Sequence, residues 1–400
     1  MRIASSWAGG IVHCVDLQGP SAGRARVVVA GGGFAALEAA LALRALAGER
    51  VELTLLSPDP VLRYRPAATI EAFSRAPARR YDLHTIAADL GAVYHSARLE
   101  SVASEERFVC TTSDARLDYD ALILATGADA IVGIPGALTF RDQRDLPAFR
   151  RMLAELEAGA VHRIVFAVPT GCAWPLPVYE LALLAATRAH EQGLDAEVTL
   201  VSPEPEPLAL FGREASRLVA SVLVERGVRF IGATAGFRVL RDGLLVTFSG
   251  SIAAERFVAA PQLRGRRIAG VPASWWGFVP TDLFGRVEGL ADVYAAGDMT
   301  TFPIKQGGLA AQQADRIAHT IAAGLGAPVK ELRAEHILRA RLLGGDRTLV
   351  LRTELDGFGE PTAAALEHVD KNLPASSPKV FGRYLTPYLA RLESLGRTAA

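Results

Sequence analysis

Cysteine is scarce in this 400-residue chain, which has only Cys14, Cys110 and Cys172. They lie far apart and form no Cys-x-x-Cys pair. That excludes a disulfide framework and a cysteine zinc site, so no metal is expected, and it points to the reducing cytoplasm. Long apolar runs are missing too. No stretch of about twenty apolar residues occurs, which excludes a membrane-spanning helix. Charge of one sign does not dominate, with Lys+Arg and Asp+Glu both at 43. Only Arg264-Gly265-Arg266-Arg267 is densely basic, and it reads as a solvated loop, so no nucleic acid partner is expected. Half the residues are apolar and 22% are charged, an ordinary globular balance. The length suffices for two domains and an appendage. Residues 1–24 carry a short, broken apolar run and read as a disordered leader in which Cys14 is incidental.

What is present is organised around residues 26–59, RVVVAGGGFAALEAALALRALAGERVELTLLSPD. Val27, Val28 and Val29 suit a strand buried on both faces. Gly31-Gly32-Gly33 turns the chain, and the Ala- and Leu-rich run from Phe34 favours a helix. A second apolar strand ends at Ser57-Pro58. In such a βαβ unit the bare turn lets a pyrophosphate approach the helix N-terminus, with its free N–H groups and partial positive charge. Gly31, Gly33, Phe34 and Ala35 are the residues placed there. Gly31-x-Gly33-x-x-Ala36 is the dinucleotide fingerprint with Ala at its third small position; a merely structural turn is the plainer alternative. The carboxylate expected at the end of the second strand, for ribose hydroxyls, is replaced by Ser57. Arg65 follows in a loop placed to cover a bound cofactor. Further on, residues 121–127 form an apolar strand ending in Thr126-Gly127.

GGGFAALEAA, DYDALILATGA and VYAAGDMTTFPIKQGGLAAQQA occur in that order across the chain. Together they resemble the FAD-dependent pyridine nucleotide-disulfide reductase superfamily, within it the type II NADH dehydrogenase and sulfide:quinone oxidoreductase group. The resemblance implies FAD as cofactor, with Asp298, after Gly297, on its ribityl chain and Thr126 and Gly127 along its adenosine–pyrophosphate part. Gln306-Gly307-Gly308 opens a helix whose N-terminus would favour negative charge on the flavin pyrimidine. Lys305, the cation immediately before it, is expected beside the isoalloxazine rather than on the surface. The implied partners are a small-molecule electron donor and an acceptor, with quinone the acceptor class of this group.

Residues 162–204 echo the first βαβ unit, down to Ser202-Pro203-Glu204 beside Ser57-Pro58-Asp59. In the second turn only Gly171 survives, crowded by three prolines and Trp174. Proline donates no N–H. This second site reads as degenerate, with NAD(P)H binding unexpected. Glu180 opens the following helix as relatives do, either reaching toward the flavin or serving as a first-turn carboxylate favoured by the helix dipole. Cys172 stands where sulfide:quinone oxidoreductases carry one of two reactive cysteines. No cysteine follows it here, and a lone Cys is commonly a small buried hydrophobe.

The fold expected is α/β: two Rossmann-like (three-layer ββα) dinucleotide-binding domains plus a small C-terminal region. Residues 25–150 form the first part of the FAD-binding domain, 151–280 the NAD(P)-binding-like insertion, 281–326 the return and 327–400 the C-terminal region. In the tail, Phe381, Tyr384, Leu385, Tyr388, Leu389 and Leu392 recur at helical spacing. That face serves peripheral membrane contact, packing on the core, or packing on a second subunit in a homodimer. The expected activity is transfer of a hydride or electron pair through flavin. NAD(P)H:quinone reduction and a flavin-binding scaffold are the alternatives. Lys305, Glu180 and Cys172 are the candidate catalytic residues.

Overall fold

The computed structural model describes residues 15–16, 23–74, 79–330, 335–345, 347–370 and 378–398. Most of the expected leader, including Cys14, lies outside them. Of its described residues, Val15–Asp16 form a strand paired parallel with Ala115 and Arg116, and Gly23 and Arg24 lead into β1.

The principal elements are β1 (Ala25–Ala30), α1 (Phe34–Ala47), β2 (Val51–Leu56), β3 (Val93–His95), β4 (Ala121–Leu124), β5 (Leu138–Thr139), β6 (Arg163–Ala167), α2 (Leu176–Glu191), β7 (Glu197–Val201), β8 (Val228–Ile231), β9 (Arg256–Ala259), β10 (Val293–Ala295), α3 (Gly307–Gly324), β11 (His336–Leu343), β12 (Thr348–Leu355), β13 (Pro361–Asp370) and α4 (Leu385–Ser394). Two five-stranded parallel sheets have the same plan, β10-β4-β1-β2-β3 and β5-β9-β6-β7-β8. In each, the strand order reverses beside the first strand of the unit, at β1/β4 and at β6/β9. Ligands of doubly wound sheets bind at that switch, outside the C-terminal strand ends.

The valines of β1 are buried on both faces, as their β-branched run requires. Val27 and Val29 pack toward α1 and α3, whereas Val28 and Ala30 pack toward an antiparallel meander. That meander, Leu99–Ala103, Phe108–Thr111 and Ala115–Asp118, completes the three-layer ββα arrangement. The apolar stretch 93–104, which reads as a single strand, divides: β3 joins the parallel sheet and Leu99–Ala103 joins the meander. Cys110, buried in the meander, is disulfide-bonded, so wide spacing in the sequence did not preclude a bridge.

The C-terminal region contributes an antiparallel sheet, β11-β12-β13. Its Leu338, Ala340, Leu342, Leu349 and Leu351 share a core with α2. α4 packs against α1, burying Leu385, Leu389 and Leu392. Glu38 of α1 accepts hydrogen bonds from Tyr384 N (2.9 Å) and Leu385 N (2.7 Å), satisfying two of α4's orphan N–H groups. Of the roles open to that face, packing on the core is the one observed.

Candidate cofactor site

The first switch point is built by backbone. Gly31 N donates to Leu56 O at 2.8 Å, tying the turn to the end of β2. Gly31 has φ +145°, and a Cβ there would lie 2.2 Å from Ala125 O, so no other residue fits. A Cβ on Gly32 would lie 2.7 Å from Ser57 Oγ. The Ser57 hydroxyl donates to Asp59 O, and its carbonyl accepts from Tyr94. Ser57 therefore buttresses the turn. At Gly33 and Gly127 an added Cβ would meet nothing within 4 Å, the open backbone a pyrophosphate needs. No side chain caps α1 and no acid occupies its first turn, which leaves its N-terminus available to an anion. Phe34 and Ala35 begin that helix, with Phe34 edge-on to Tyr64 at 5.5 Å.

Thr126 donates to Met299 Sδ at 3.6 Å, while its carbonyl accepts from Arg266. β10 delivers Gly297 (φ +77°) and Asp298. Gln313 of α3 accepts from Gly297 N at 2.7 Å and fixes that turn. The Asp298 carboxylate receives no hydrogen bond from any described residue. Burial raises its pKa, opposed by the charges of Lys305 and Arg65, which the fold brings within electrostatic reach. An unpaired carboxylate beside open glycine backbone fits a polyhydroxylated phosphate ligand, whose hydroxyls would supply the missing donors. FAD would meet Gly31, Gly33 and the α1 N-terminus through its phosphates and Asp298 through its hydroxyls.

Lys305 is 9% exposed. It donates to Thr300 O and lies 4.3 Å from the Phe278 ring centroid. Burial pushes its pKa down to about 8, with Asp298 opposing. Stability linked to this group is therefore present above its unfolded value near 10.5 and is lost as pH falls through about 8. Relative to Lys305→Met, the wild-type apoprotein should gain about 3 kcal/mol between pH 7 and pH 10.5, read from denaturant titrations in parallel. Equal pH slopes for the two proteins would contradict a desolvated Lys305. Gln306 reaches the helix end but is committed there. Its Oε1 caps α3 through Leu309 N (2.9 Å), and its amide donates to Arg339 O. Arg65 is half-exposed and sits 3.7 Å from Asp142.

The middle turn differs. Gly171 keeps φ +74°, but residues around it are packed. Ala173 O accepts from Lys305 N at 3.3 Å, and Trp174 lies edge-on to Phe211 at 6.2 Å. Glu204, beyond β7, accepts from Tyr179 (2.8 Å) and Ser202 (3.0 Å), with its pKa raised by burial. Its carboxylate is thus already engaged within the domain. Burial pushes the Cys172 thiol up to about 12, which disfavours the thiolate. Glu180 is fully buried, accepting from Thr69 (2.7 Å), Lys379 (2.6 Å) and Leu343 N (3.2 Å). Met299 and Gln313 lie inside the third motif, but their contacts, like the approach of Phe278 to Lys305, emerge only in the fold.

Residues 25–323 match the family described as pyridine nucleotide-disulphide oxidoreductase. The chain belongs to that family. Its members are FAD-dependent oxidoreductases, which agrees with the resemblance, the cofactor and the fold class expected from the motifs. The chain is similar to a sulfide-quinone reductase of Aquifex aeolicus, 26% identical over 223 residues, 52% of this chain and about half (51%) of that protein. It is also similar to the NADH dehydrogenase-like protein Rv1812c of Mycobacterium tuberculosis, 27% identical over 68% of this chain and 72% of that protein. Among solved structures, the Aquifex aeolicus sulfide:quinone oxidoreductase superposes with a TM-score of 0.75 at 20% identity, covering 93% of this chain and 90% of that one. No helix among the described residues is long and apolar enough to cross a membrane.

Proposed function

We propose that the protein passes an electron pair from a small-molecule donor to a separate acceptor of the quinone class, with NAD(P)H excluded as donor. The carrying observation is the unpaired Asp298 carboxylate, within electrostatic reach of Lys305 and Arg65 at the first switch point. The same features at the second switch point are spent on protein contacts. FAD, when bound, supplies the two-electron chemistry. Asp298 accepts hydrogen bonds that orient the ligand, and Lys305 presents a cation whose pKa of about 8 keeps it largely protonated at neutral pH. Phe278 and the buried turn after Met299 keep water from that cation.

Quinone as acceptor is supported by the similarity to a sulfide-quinone reductase. Trp275 (89%), Leu283 (49%) and Phe358 (83%) are exposed apolar residues, with Leu283 against Gly357 next to Phe358. They favour a peripheral membrane contact that would bring a lipid-soluble acceptor close. The protonated Cys172 does not support a thiolate relay from sulfide.

Anaerobic addition of NADH, NADPH, sulfide and quinols to FAD-loaded protein tests the reading. NADH and NADPH should leave the 450 nm absorbance unchanged for about a thousand seconds, against millisecond-to-second bleaching by a true donor. Cys172→Ser should bleach at the wild-type rate with every effective donor. Fast bleaching by NADH would overturn the assignment of the second site, and loss of bleaching in Cys172→Ser would restore a thiol role. Absence of turnover with every donor–quinone pair would favour a scaffold.

A further inference from the structure

Trp275 and Trp276 occupy the two corner positions of a tight turn. Gly277 N donates to Ser274 O at 2.9 Å and closes it, and Ser274 N donates to Phe278 O at 2.7 Å. Arg267 donates to Ser274 O at 3.0 Å and to Trp275 O at 2.9 Å. Gly265 N donates to Trp276 O at 2.9 Å. A Cβ on Gly277 would lie 2.3 Å from Gly265 O, so the turn is pressed against the strand Gln262–Gly265. The backbone is therefore fixed, yet both indoles stand in solvent, Trp275 at 89% and Trp276 at 57% exposure. Neither takes part in a ring contact or side-chain hydrogen bond among the described residues.

The surroundings of the turn are cationic. Between Glu255 and Asp282 the chain has no acid, but it has Arg256, Arg264, Arg266 and Arg267. Arg256 pairs with Glu155 at 2.7 Å, Arg266 with Asp129 at 2.8 Å, and Asp282 with Arg286 at 3.4 Å. Arg264 and Arg267 are exposed, and neither has a carboxylate partner among the described residues. Two indoles offer less than about 500 Å² of contact, short of the roughly 800 Å² per partner of a standard protein interface. A small apolar tip beside free cations suits an anionic bilayer instead, where tryptophan settles at headgroup depth and arginine meets lipid phosphate.

We infer that the turn at 274–277 is an interfacial anchor that docks the protein on anionic phospholipid, with Trp275 and Trp276 entering the headgroup region and Arg264 and Arg267 meeting its phosphates. The anchor rests on the reading of a peripheral membrane contact and gives it a point of attachment and a lipid class. The turn continues into Phe278, whose ring centroid lies 4.3 Å from Lys305 Nζ. Docking here sets the bilayer beside the Lys305 end of the cofactor site.

Co-sedimentation of the full-length, FAD-loaded protein with phosphatidylcholine vesicles, with and without about a third phosphatidylglycerol, tests it in the absence of donor and quinone. The protein should bind the mixed vesicles saturably and pure phosphatidylcholine at least about fivefold more weakly. Trp275→Ser combined with Trp276→Ser should lower affinity for the mixed vesicles at least about tenfold. Its melting temperature should be unchanged, since both side chains are exposed. Arg264→Gln should weaken binding to the mixed vesicles about fivefold and barely alter binding to the neutral ones. Should the double variant fail to fold, Trp275→Ser alone should still weaken binding about threefold. No binding, equal affinity for the two lipids, or undiminished binding by the tryptophan variant would overturn the anchor. A dimer that the tryptophan substitutions dissociate would overturn the lipid assignment in favour of a second copy of the chain. Vesicle binding without quinone reduction would leave the anchor standing and sink the acceptor, whereas quinone reduction by a protein that ignores vesicles would sink the anchor alone.

Discussion

Asp298→Ala should purify folded and nearly colourless, with FAD affinity reduced about 10- to 100-fold. A hydrogen bond to a charged group contributes roughly 1.5–3 kcal/mol, and each 1.4 kcal/mol is a factor of ten. The Asp298 carboxylate takes no hydrogen bond from the described residues and sits where burial raises its pKa. It therefore lowers the stability of the empty protein, a cost that the proposed contact with FAD would offset. The sign follows from linkage. Stability from an acid with a raised folded pKa is fully present below the unfolded value and is lost as pH rises through the folded one. Empty Asp298→Asn should thus be more stable than empty wild type at pH 8, with the difference shrinking toward pH 4. FAD binding should reverse the order at pH 8. Fluorescence titration of apoprotein with FAD measures the affinities, and denaturant melts with and without FAD measure the exchange. Full FAD occupancy in Asp298→Ala at micromolar concentrations would remove this residue from the site.

How much of this could be read in the sequence depended on which forces act locally. The β1 valines, the glycine turn and α1 were legible because strand burial, turn geometry and helix propensity agree over a few residues. Gly31 was legible for the same reason: its contact with Ala125 sits at a strand end that another motif marks. Ser57 was visible as a missing acid, but its use against Gly32 depends on a contact across the turn. The crowding of the second turn followed from its prolines; the engagement of Glu204 with Tyr179 did not, since those residues meet only through the α2–β7 packing. Arg264 and Gly265 read as part of a solvated loop yet belong to a strand, Gln262–Gly265, paired with Ala128–Ile131, a pairing set by distant chain rather than local pattern. Gln306 illustrates a further limit. Its position before a Gly-Gly helix start suggested ligand contact, while the same position suits an N-cap, and the cap is what the geometry shows.

Glu180 reads as a carboxylate either reaching toward the flavin or favoured in the first turn of its helix, yet no acid lies in the first turn of α2 and its side chain is engaged within the protein. It holds Lys379 at 2.6 Å, and the side chains of the pair are 1% and 9% exposed. Thr69 serves both, donating to Glu180 and accepting from Lys379 at 2.9 Å. Lys379 begins the segment that leads into α4, and its backbone N–H and that of Val380 both donate to the Tyr64 hydroxyl. Val380 in turn packs against Gly307, the first residue of α3. The pair thus fastens the C-terminal segment to α2 on one side and to the helix beside Asp298 on the other. Removing one member leaves a buried charge without compensation, which costs about 3–5 kcal/mol, whereas an apolar pair of similar volume is commonly neutral or stabilising. Glu180→Leu and Lys379→Met should each destabilise by about that amount, and the double variant should recover most of the loss. Because the segment abuts α3, each single variant should also release FAD faster than wild type, and the double variant at close to the wild-type rate. Thermal melts of all four proteins, with stopped-flow measurement of FAD release, read both effects. Additive destabilisation in the double variant would mean that the two side chains act separately, and an unchanged release rate in the single variants would uncouple the C-terminal segment from the cofactor site.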